Sequence, residues 1–336
     1  MKTILIITDN LQDQINGVVT TYKNLETCAV LDGYNVVYLD PGRFGYIDCP
    51  VYNEVKIAYT RKMGQEIEKI SPDYIHIATE GPLGLCGRKY LSLVGWRYTT
   101  AYHTRFPEGI KQLVGIPERI TWAYVRWFHK NSTKILTTTD TMVQDLRAHG
   151  FTGDVIPWTR GVDRTIFNPS YRTDSVAGRP ILLCVCRVSK EKNLEAFCEL
   201  DYPGATKIVV GDGPYREYLM SRYPDVHFPG ARTGADLAKY YAMADVFVFP
   251  SKWDTFGIVM IEAMACGTPV AAYDVAGPKD VIDQGITGFM VSESVGLRAA
   301  VDQCIMMDRA QVEQASHRWS WENCWKIFKD SLTLAK

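Results

Sequence analysis

The sequence has 336 residues, of which 46% are hydrophobic and 22% charged, and its formal net charge is −1. This length exceeds the usual single domain, so two domains are expected, and the balanced charge gives no general reason to expect nucleic acid or an anionic surface as a partner. The nine cysteines lack paired metal-type spacing and are expected to be reduced thiols. Since the sequence shows neither a signal peptide nor an apolar run of membrane-spanning length, a cytoplasmic protein is predicted.

In the first half of the chain, short apolar and β-branched runs alternate with longer amphipathic segments. The runs predict strands at Thr3–Thr8, Asn35–Leu39, Tyr74–Ala78, Tyr98–Tyr102, Lys134–Thr138 and Asp154–Trp158. The segments predict helices at Val18–Leu31, Thr60–Ile70, Pro82–Val94, Pro117–Asn131 and Thr141–His149. Because parallel strands need crossover connections, this alternation predicts a parallel sheet with helices on both faces.

The pattern then pauses and starts again. The pause at Asn168–Pro180 contains prolines, a glycine and little apolar sequence, and it is interpreted as a linker. A second set of strands is predicted at Ile181–Cys186, Lys207–Val210, Val246–Phe249, Pro269–Tyr273 and Gly288–Val291. Two doubly wound sheets are therefore expected, with ligands beyond the carboxyl ends of their strands.

Two polar segments follow predicted strands of the first sheet. After the first strand, Gly17 would let the backbone approach a phosphate or a sugar, although a plain strand–helix turn is equally compatible with Asn16-Gly17. The segment is not a G-x-G-x-x-G fingerprint, which disfavours dinucleotide binding. After the fourth strand stands His103, and a lone histidine is more often structural. The adjoining Thr104 and Arg105, with Pro107 as a stop, favour a functional loop.

Two segments of the second half carry the features of a phosphate site. Arg187 leaves a predicted strand and Lys192 follows near a helix start, so two cations suit a diphosphate leaving group. The alternative is a solvated charged turn, and the intervening Lys190 and Glu191 are expected to be solvated. Further on, Gly211-Asp-Gly213-Pro214 predicts a tight turn, a weak signal by itself.

The segment from Asp254 to Glu262 is a polar turn that opens directly into an apolar helix. The first backbone N–H groups of a helix have no intrahelical partner, so Thr255, Phe256 and Gly257 begin an anion site. Asp254 and Glu262 would then accept hydrogen bonds from sugar hydroxyls. A glycosidase pair is the alternative, but this spacing fixes neither of the carboxylate separations that such enzymes need. An exposed helix acid is disfavoured for Glu262 because its neighbours are apolar.

Helix 117–130 combines several aromatic and basic side chains. Such a helix can pack against its own sheet, which is the more common case, or dock on an anionic membrane.

Taken together, these segments resemble the retaining glycosyltransferases of family four, which have the GT-B fold, and the resemblance extends over nearly the whole chain. The segments are Asn16-Gly-Val-Val19, His103-Thr-Arg-Phe-Pro107, Trp158-Thr-Arg-Gly-Val-Asp163 with Phe167-Asn-Pro169, Arg187 with Glu191-Lys-Asn193, Gly211-Asp-Gly-Pro214, Asp254 to Val270 and Ser320-Trp-Glu322. Asp254 stands where the family usually has the first glutamate of a Glu-x7-Glu motif, and Ala276-Gly277-Pro278 replaces the usual Gly-Gly turn.

The resemblance implies roles for individual residues. Arg187 and Lys192 would bind the donor diphosphate, Glu262 the ribose hydroxyls, Asp254 the donor sugar, and His103 would face the reacting sugar. The predicted catalytic residues are His103, Arg187, Lys192 and Asp254. The predicted donor-binding residues are Asn16, Gly17, Gly211, Gly213, Thr255, Phe256, Gly257 and Glu262, and the predicted acceptor-side residues are Thr104, Arg105 and Arg160. Neither a metal nor another cofactor is expected.

The resemblance also implies an architecture: two Rossmann-like α/β domains that face each other across a cleft, with a C-terminal helix crossing back to the first. The predicted domains are an acceptor domain at 1–168, a nucleotide-sugar donor domain at 180–310 and terminal helices at 311–336. The predicted activity is retaining transfer of a hexose from a UDP- or GDP-sugar to a hydroxyl of a lipid or glycan. The alternatives are a nucleotide-sugar epimerase, a phosphorylase-like enzyme and a non-catalytic nucleotide-sugar sensor. A monomer or weak homodimer is expected, with possible peripheral contact at the inner face of a membrane through helix 117–130.

Overall fold

The computed structural model describes residues 1–14, 16–49, 52–173 and 180–336, without the side chains of residues 52–55, 112 and 113. The chain forms two compact units. The first unit comprises Met1–Arg160 together with Trp321–Lys336, and the second comprises Gly161–Ser320.

The first unit contains a six-stranded parallel sheet in the order β2-β1-β5-β6-β7-β8 and a separate antiparallel hairpin, β3-β4. Its strands are β1 Lys2–Ile7, β2 Tyr34–Leu39, β3 Ile47–Cys49, β4 Tyr52–Ile57, β5 Tyr74–Ile77, β6 Thr99–Tyr102, β7 Ile135–Thr137 and β8 Val155–Pro157. Its first seven helices are α1 Gly17–Leu31, α2 Pro41–Phe44, α3 Met63–Ile70, α4 Pro82–Val94, α5 Phe106–Val114, α6 Glu118–His129 and α7 Asp140–Ala148.

Strand β1 shows why its sequence is apolar throughout. Leu5 and Ile7 point to one face of the sheet and pack in one hydrophobic cluster, whereas Ile4 and Ile6 pack in another cluster on the opposite face. All four side chains are buried. Successive side chains of a strand alternate between faces, so a strand with helices on both sides needs apolar residues at every position.

The second unit contains a six-stranded parallel sheet in the order β11-β10-β9-β12-β13-β14. Its strands are β9 Ile181–Val185, β10 Thr206–Val210, β11 Val226–Gly230, β12 Val246–Phe249, β13 Val270–Tyr273 and β14 Gly288–Val291. Its helices are α8 Leu194–Cys198, α9 Arg216–Arg222, α10 Gly234–Met243, α11 Ile258–Ala265, α12 Pro278–Val281, α13 Leu297–Cys304 and α14 Arg309–Ala315, with short 3-10 turns at Pro169–Tyr171, Lys190–Lys192 and Ser316–Arg318. The prediction of two doubly wound α/β sheets is confirmed.

The last helix, α15 Trp321–Ser331, belongs to the first unit. The carbonyl of Cys324 accepts a hydrogen bond of 3.1 Å from Nε1 of the buried Trp158. Asp32, which follows α1, accepts hydrogen bonds from Trp325 Nε1 at 2.9 Å and from Lys329 Nζ at 2.8 Å. The return of the chain end to the first unit was implied by the family resemblance.

Several elements lie outside the sequence prediction, among them the short helix α2 and helix α5. The hairpin β3-β4 and strand β11 were not predicted, and β11 contains Pro229, which discourages assignment to a strand. The interpretation of Pro107 as a stop is wrong, because Pro107 lies in the first turn of α5, where a missing N–H costs nothing.

The units differ from the predicted domain ranges at both of their ends. Residues 161–168 and 311–320 belong to the second unit, where Phe167 packs against Tyr241 with ring centroids 5.9 Å apart. Within the predicted linker 168–180, Arg172 forms an ion pair of 3.0 Å with Asp245, and residues 174–179 lie outside the described residues. All nine cysteines are free thiols. In the described part of the chain, no helix has the length and apolar character to cross a membrane.

Candidate functional site

The strand order of the second sheet reverses between β9 and β12, and the loops that follow these two strands carry most of the predicted phosphate site. Arg187 and Lys192 follow β9, and Asp254 follows β12. A hydrogen bond of 3.0 Å from Asn193 Nδ2 to the carbonyl of Pro250 joins the two loops. Crevices at such reversal points are where ligands bind in open α/β sheets.

Lys192 and Asp254 form the central ion pair, with Nζ 2.7 Å from Oδ1. Their side chains are only 22% and 23% exposed. Burial alone would raise the pKa of Asp254, but Lys192 outweighs it and the pKa lies below the usual value. Burial lowers the pKa of Lys192, but the charge of Asp254 and its hydrogen bond raise it more, so the pKa lies above its usual value. The second oxygen, Oδ2, is buried and has no hydrogen-bond partner among the described residues.

Arg187 forms an ion pair with Glu191, and its Nε lies 3.3 Å from Ser189 Oγ. The expectation that Glu191 is solvated is therefore wrong, whereas Lys190 is exposed as expected. Burial raises the pKa of Glu191, but the hydrogen bonds from Ser189 and Arg187 reverse the shift and hold it below its usual value. The loop thus presents two cations, each held by a carboxylate.

Glu262 lies in α11, and its Oε2 accepts a hydrogen bond of 2.9 Å from the hydroxyl of Tyr241 on α10. Burial raises the pKa of Glu262 to about 7, although the bond from Tyr241 opposes the shift. The sequence did not point to Tyr241, because its partner lies on a different helix. Only one of the two carboxylate oxygens is used in this bond.

The start of α11 is shaped by its neighbours. Gly257 precedes the helix with φ of 84°, and Phe256 packs edge-to-face on Trp319 with ring centroids 5.4 Å apart. Thr255 and Phe256 are both buried. Gly277 has φ of 88°, and a Cβ there would overlap the carbonyl oxygen of Asp254. The Ala-Gly-Pro turn therefore packs directly against the Asp254 loop, and only glycine leaves room for this approach.

The turn Gly211–Pro214 packs against the loop that carries Arg187. A Cβ at Gly211 would overlap the carbonyl of Cys186, and one at Gly213 would overlap that of Val188. The N–H of Val188 also donates to the carbonyl of Asp212 at 2.8 Å. The close backbone approach predicted for these glycines is thus made to the neighbouring loop, and their contact with a donor stays a prediction.

In the first unit, His103 lies within a directed chain of buried hydrogen bonds. Arg160 Nη2 is 3.0 Å from His103 Nδ1, and because a guanidinium only donates, this nitrogen accepts. The neutral ring then donates from Nε2 to the hydroxyl of Tyr22 at 3.0 Å. That hydroxyl donates to His76 Nε2 at 2.8 Å, and His76 Nδ1 donates to Thr99 Oγ1 at 2.8 Å.

The surroundings of His103 determine its protonation state. Burial first, and then the charge of Arg160, holds the pKa of His103 well below its usual value. The ring is therefore neutral at neutral pH, and both of its nitrogens contact protein partners. The predicted position of His103 facing the reacting sugar stays a prediction. Arg160, predicted on the acceptor side, is 3% exposed and holds His103.

The remaining predicted residues of the first unit lie in its loops or at the start of a helix. Asn16 is the N-cap of α1, where Oδ1 accepts hydrogen bonds of 3.0 Å from the N–H groups of Val18 and Val19. This structural role was missed, although asparagine is a preferred N-cap. Gly17 is the first residue of α1, Thr104 is exposed and Arg105 is partly exposed. Donor or acceptor contacts of these residues stay predictions. Among the residues that the structure describes, no group of three or more potential metal ligands is present.

The fold and these charged loops define a glycosyltransferase of the GT-B class, and comparisons with known proteins give the family. The profile described as Glycosyltransferase Family 4 matches residues 15–165, and the profile described as Glycosyl transferases group 1 matches residues 179–306. The chain belongs to glycosyltransferase family 4.

Three curated relatives illustrate this membership. A GDP-mannose-dependent alpha-mannosyltransferase of Mycobacterium tuberculosis is 36% identical over 69% of the chain and 63% of its own length. An enzyme with the same description from Mycolicibacterium smegmatis is 33% identical over 78% of the chain and 72% of its own length. The sulfoquinovosyl transferase of Arabidopsis thaliana is 30% identical over 72% of the chain and 51% of its own length. The chain thus spans about half to two thirds of the tuberculosis and plant relatives.

Solved structures show the same fold at lower identity. Sucrose-phosphate synthase from Thermosynechococcus elongatus superposes with a TM-score of 0.79 at 20% identity, over 98% of both chains. HepE from Anabaena, solved in complex with UDP, has a TM-score of 0.73 at 16% identity, over 98% of this chain and 99% of its own.

Proposed function

We propose that the protein transfers a hexosyl group from a nucleoside-diphosphate sugar to a hydroxyl of a glycan or lipid, with retention of anomeric configuration. The observation that carries this proposal is the ion pair between Lys192 and Asp254, next to the start of α11 and at the reversal point of the second sheet. It places a cation for the diphosphate beside a carboxylate oxygen without a partner. Arg187 and Glu262 supply a second cation and a hydroxyl acceptor.

The chemistry follows from where charge develops. As the bond from the anomeric carbon to the diphosphate breaks, negative charge grows on the departing oxygen, and Lys192 and Arg187 stabilise it more in the transition state than in the ground state. The acceptor oxygen forms the new bond on the same face, and its proton passes to the leaving phosphate oxygen. This route needs neither a protein nucleophile nor a general base, which agrees with a neutral His103 whose two nitrogens are engaged.

The donor is proposed from the relatives. Since two of them are described as GDP-mannose-dependent, GDP-mannose is the first donor to test, followed by UDP-glucose and an ADP-sugar. Each donor is incubated with the protein, and released nucleoside diphosphate and transferred sugar are measured. We propose that transfer needs no metal, so turnover should persist in excess EDTA. Binding of a donor without either product would instead support the non-catalytic sensor.

Donor affinity should depend on pH through Glu262. Its pKa lies at about 7, above the usual carboxyl value of 4.5, because of burial. The folded state therefore keeps the carboxyl protonated longer than the unfolded state does, and stability falls as pH rises from 4.5 to about 7. Above about 7 the carboxyl of the folded protein is ionised and is a stronger acceptor for ribose hydroxyls. Calorimetry with GDP-mannose should show about tenfold tighter binding at pH 8 than at pH 6. Glu262→Gln removes the titrating group and should give a flat profile; an unchanged pH dependence in this variant would contradict the assignment.

We further propose that the protein acts as a monomer or weak homodimer in the cytoplasm, with peripheral contact at an anionic membrane through helix 117–130. Within this segment Trp122 and Phe128 are buried in the core, in agreement with a helix that packs on its own sheet. The exposed apolar side chains support the proposal, because Ile120 and Trp127 of this segment are 54% and 43% exposed, and Ile116 just before it is 40% exposed. Arg119, Arg126 and Lys130 are exposed beside them.

A vesicle assay tests this contact. The protein should sediment with phosphatidylserine-containing liposomes and less with pure phosphatidylcholine, and 0.5 M salt should release it. The double substitution Arg119→Glu, Ile120→Ser should reduce binding several-fold. The matched control is Leu31→Ser, which removes an exposed leucine from α1. Equal sedimentation of the double variant and the control would exclude helix 117–130 as the contact.

A further inference from the structure

Asn193 connects the two loops of the candidate phosphate site. It directly follows Lys192, and its Nδ2 donates a hydrogen bond of 3.0 Å to the carbonyl of Pro250. Pro250 is buried and directly follows β12, and Asp254 stands four positions further along the chain. One side-chain bond therefore joins the segment that carries the cation to the segment that carries the carboxylate.

The backbone of Asn193 is left-handed, with φ of 55° and ψ of 38°. Among the described residues other than glycine, only Ser71 shares a positive φ. Most side chains disfavour this conformation, whereas asparagine tolerates it. The N–H of Asn193 donates to the carbonyl of Lys190 at 3.3 Å, and its carbonyl accepts from the N–H of Ala196 at 3.2 Å. The left-handed residue thus ends the 3-10 turn that carries Lys192 and begins α8.

This position makes two demands on its side chain. A left-handed backbone is tolerated mainly by glycine, asparagine and aspartate. Donation to the carbonyl of Pro250 needs a side-chain N–H, which glycine and an ionised aspartate both lack. Of these three residue types only asparagine meets both demands, so the residue at position 193 is suited to the bond between the loops.

The ion pair of 2.7 Å between Lys192 and Asp254 is a second link between these loops. A bound donor would weaken this link, because the diphosphate attracts the ammonium group and a sugar hydroxyl engages the carboxylate. The bond from Asn193 to Pro250 uses neither charged group and can persist through the reaction. It is then the contact that limits how far Lys192 and Asp254 move apart.

Core packing fixes the chain on the inner side of this bond. The neighbouring residues Leu194 and Phe249 are 0% and 3% exposed. On the outer side, the side chains of Lys192 and Asp254 are 22% and 23% exposed. The bond lies between the rigid core and the partly exposed groups of the site, so its loss should shift these groups without unfolding the sheet.

We infer that Asn193 is a positioning residue for sugar transfer, which holds Lys192 and Asp254 at the separation that the reaction needs. This inference rests on the proposed transfer function and extends it to a residue that acts through its neighbours. Small displacements of groups that stabilise a transition state affect the rate more than they affect ground-state binding. Loss of the bond should therefore lower kcat more than the affinity for the nucleoside diphosphate.

Asn193→Gly is the sharpest test, because it keeps the left-handed backbone and removes only the side-chain bond. Release of GDP from GDP-mannose and of UDP from UDP-glucose is measured at saturating donor, with water as the acceptor. For each donor that the wild type turns over, the variant should lower kcat roughly tenfold. The dissociation constant of GDP or UDP, measured by calorimetry, should change by less than about twofold.

The control is Ser71→Gly, which makes the same backbone replacement at the other left-handed position, an exposed residue after α3. Its kcat and its affinity for GDP and UDP should match the wild type. A second variant, Asn193→Asp, tolerates the same backbone but lacks the N–H. It should lower kcat at least as much as Asn193→Gly does.

Other outcomes overturn the inference. A wild-type kcat in a folded Asn193→Gly protein would show that the bond plays no part in the reaction. An equal loss of kcat and of affinity would place Asn193 in ground-state binding. A loss of kcat that disappears when rates are divided by the folded fraction would show a structural role alone. Absence of turnover in the wild type with both donors would contradict the proposed function as well, whereas wild-type turnover with an unaffected variant would overturn the role of Asn193 alone.

Discussion

Arg187→Ala is expected to lower kcat for sugar transfer by roughly 10²–10³-fold, since removal of one preorganised donor to a developing oxyanion has this effect in other enzymes. Arg187 leaves the end of β9 and is held by Glu191 and Ser189, so it is preorganised before a ligand arrives. The loss should appear in kcat more than in donor affinity, because the charge on the leaving oxygen grows only as the bond breaks.

A matched control lies three residues away. Lys190→Ala removes a cation from the same loop, but Lys190 is exposed and should leave kcat unchanged within about twofold. Initial rates at saturating donor, with melting temperatures for all variants, make the comparison. A wild-type kcat in a folded Arg187→Ala protein would show that Arg187 does not stabilise the transition state.

Lys192→Met is expected to abolish measurable transfer and to destabilise the second unit by about 3 kcal/mol, the lower limit for loss of one partner of a buried ion pair, because both side chains are partly exposed. The pair is mostly buried, so Asp254 would be left as an uncompensated charge. In the wild type Asp254 contributes stability above its usual pKa of 3.8, and this contribution is lost as pH falls through the lower folded value. In the variant the pKa rises, so the difference in stability should shrink at acid pH.

A double-mutant cycle separates stability from chemistry. Adding Asp254→Asn to Lys192→Met removes the unpaired charge and should recover most of the free energy of unfolding, measured by urea denaturation. Transfer should remain absent, because the cation for the diphosphate is still missing. Recovery of activity along with stability would mean that the pair has only a structural role.

The fold was largely predictable because its strands are buried on both faces. Runs such as Ile181–Cys186 are apolar at every position, and only a sheet covered on both sides needs this. Strand β11 was missed since Pro229 and the exposed His227 break that pattern. The start of α5 was missed because Pro107 can end one element or begin another, and sequence alone does not distinguish these cases.

The candidate site was predictable where charged residues directly follow a predicted strand. Arg187, Lys192 and Asp254 follow strands at the reversal point, and each could be placed there from the sequence. The partners of the predicted residues were harder to find. Tyr241 reaches Glu262 from another helix, and Tyr22 reaches His103 across 81 positions of sequence, so neither contact leaves a local pattern.

The return of α15 to the first unit has a consequence for biosynthesis. The second unit is one continuous segment, whereas the first unit combines residues 1–160 with residues 321–336. Until residues 321–336 have been synthesised, Trp158 lacks Phe328 as a neighbour, and in the folded first unit the centroids of their rings lie 5.2 Å apart. A truncated product ending at Arg160 would expose this aromatic surface and become a substrate for chaperones and proteases.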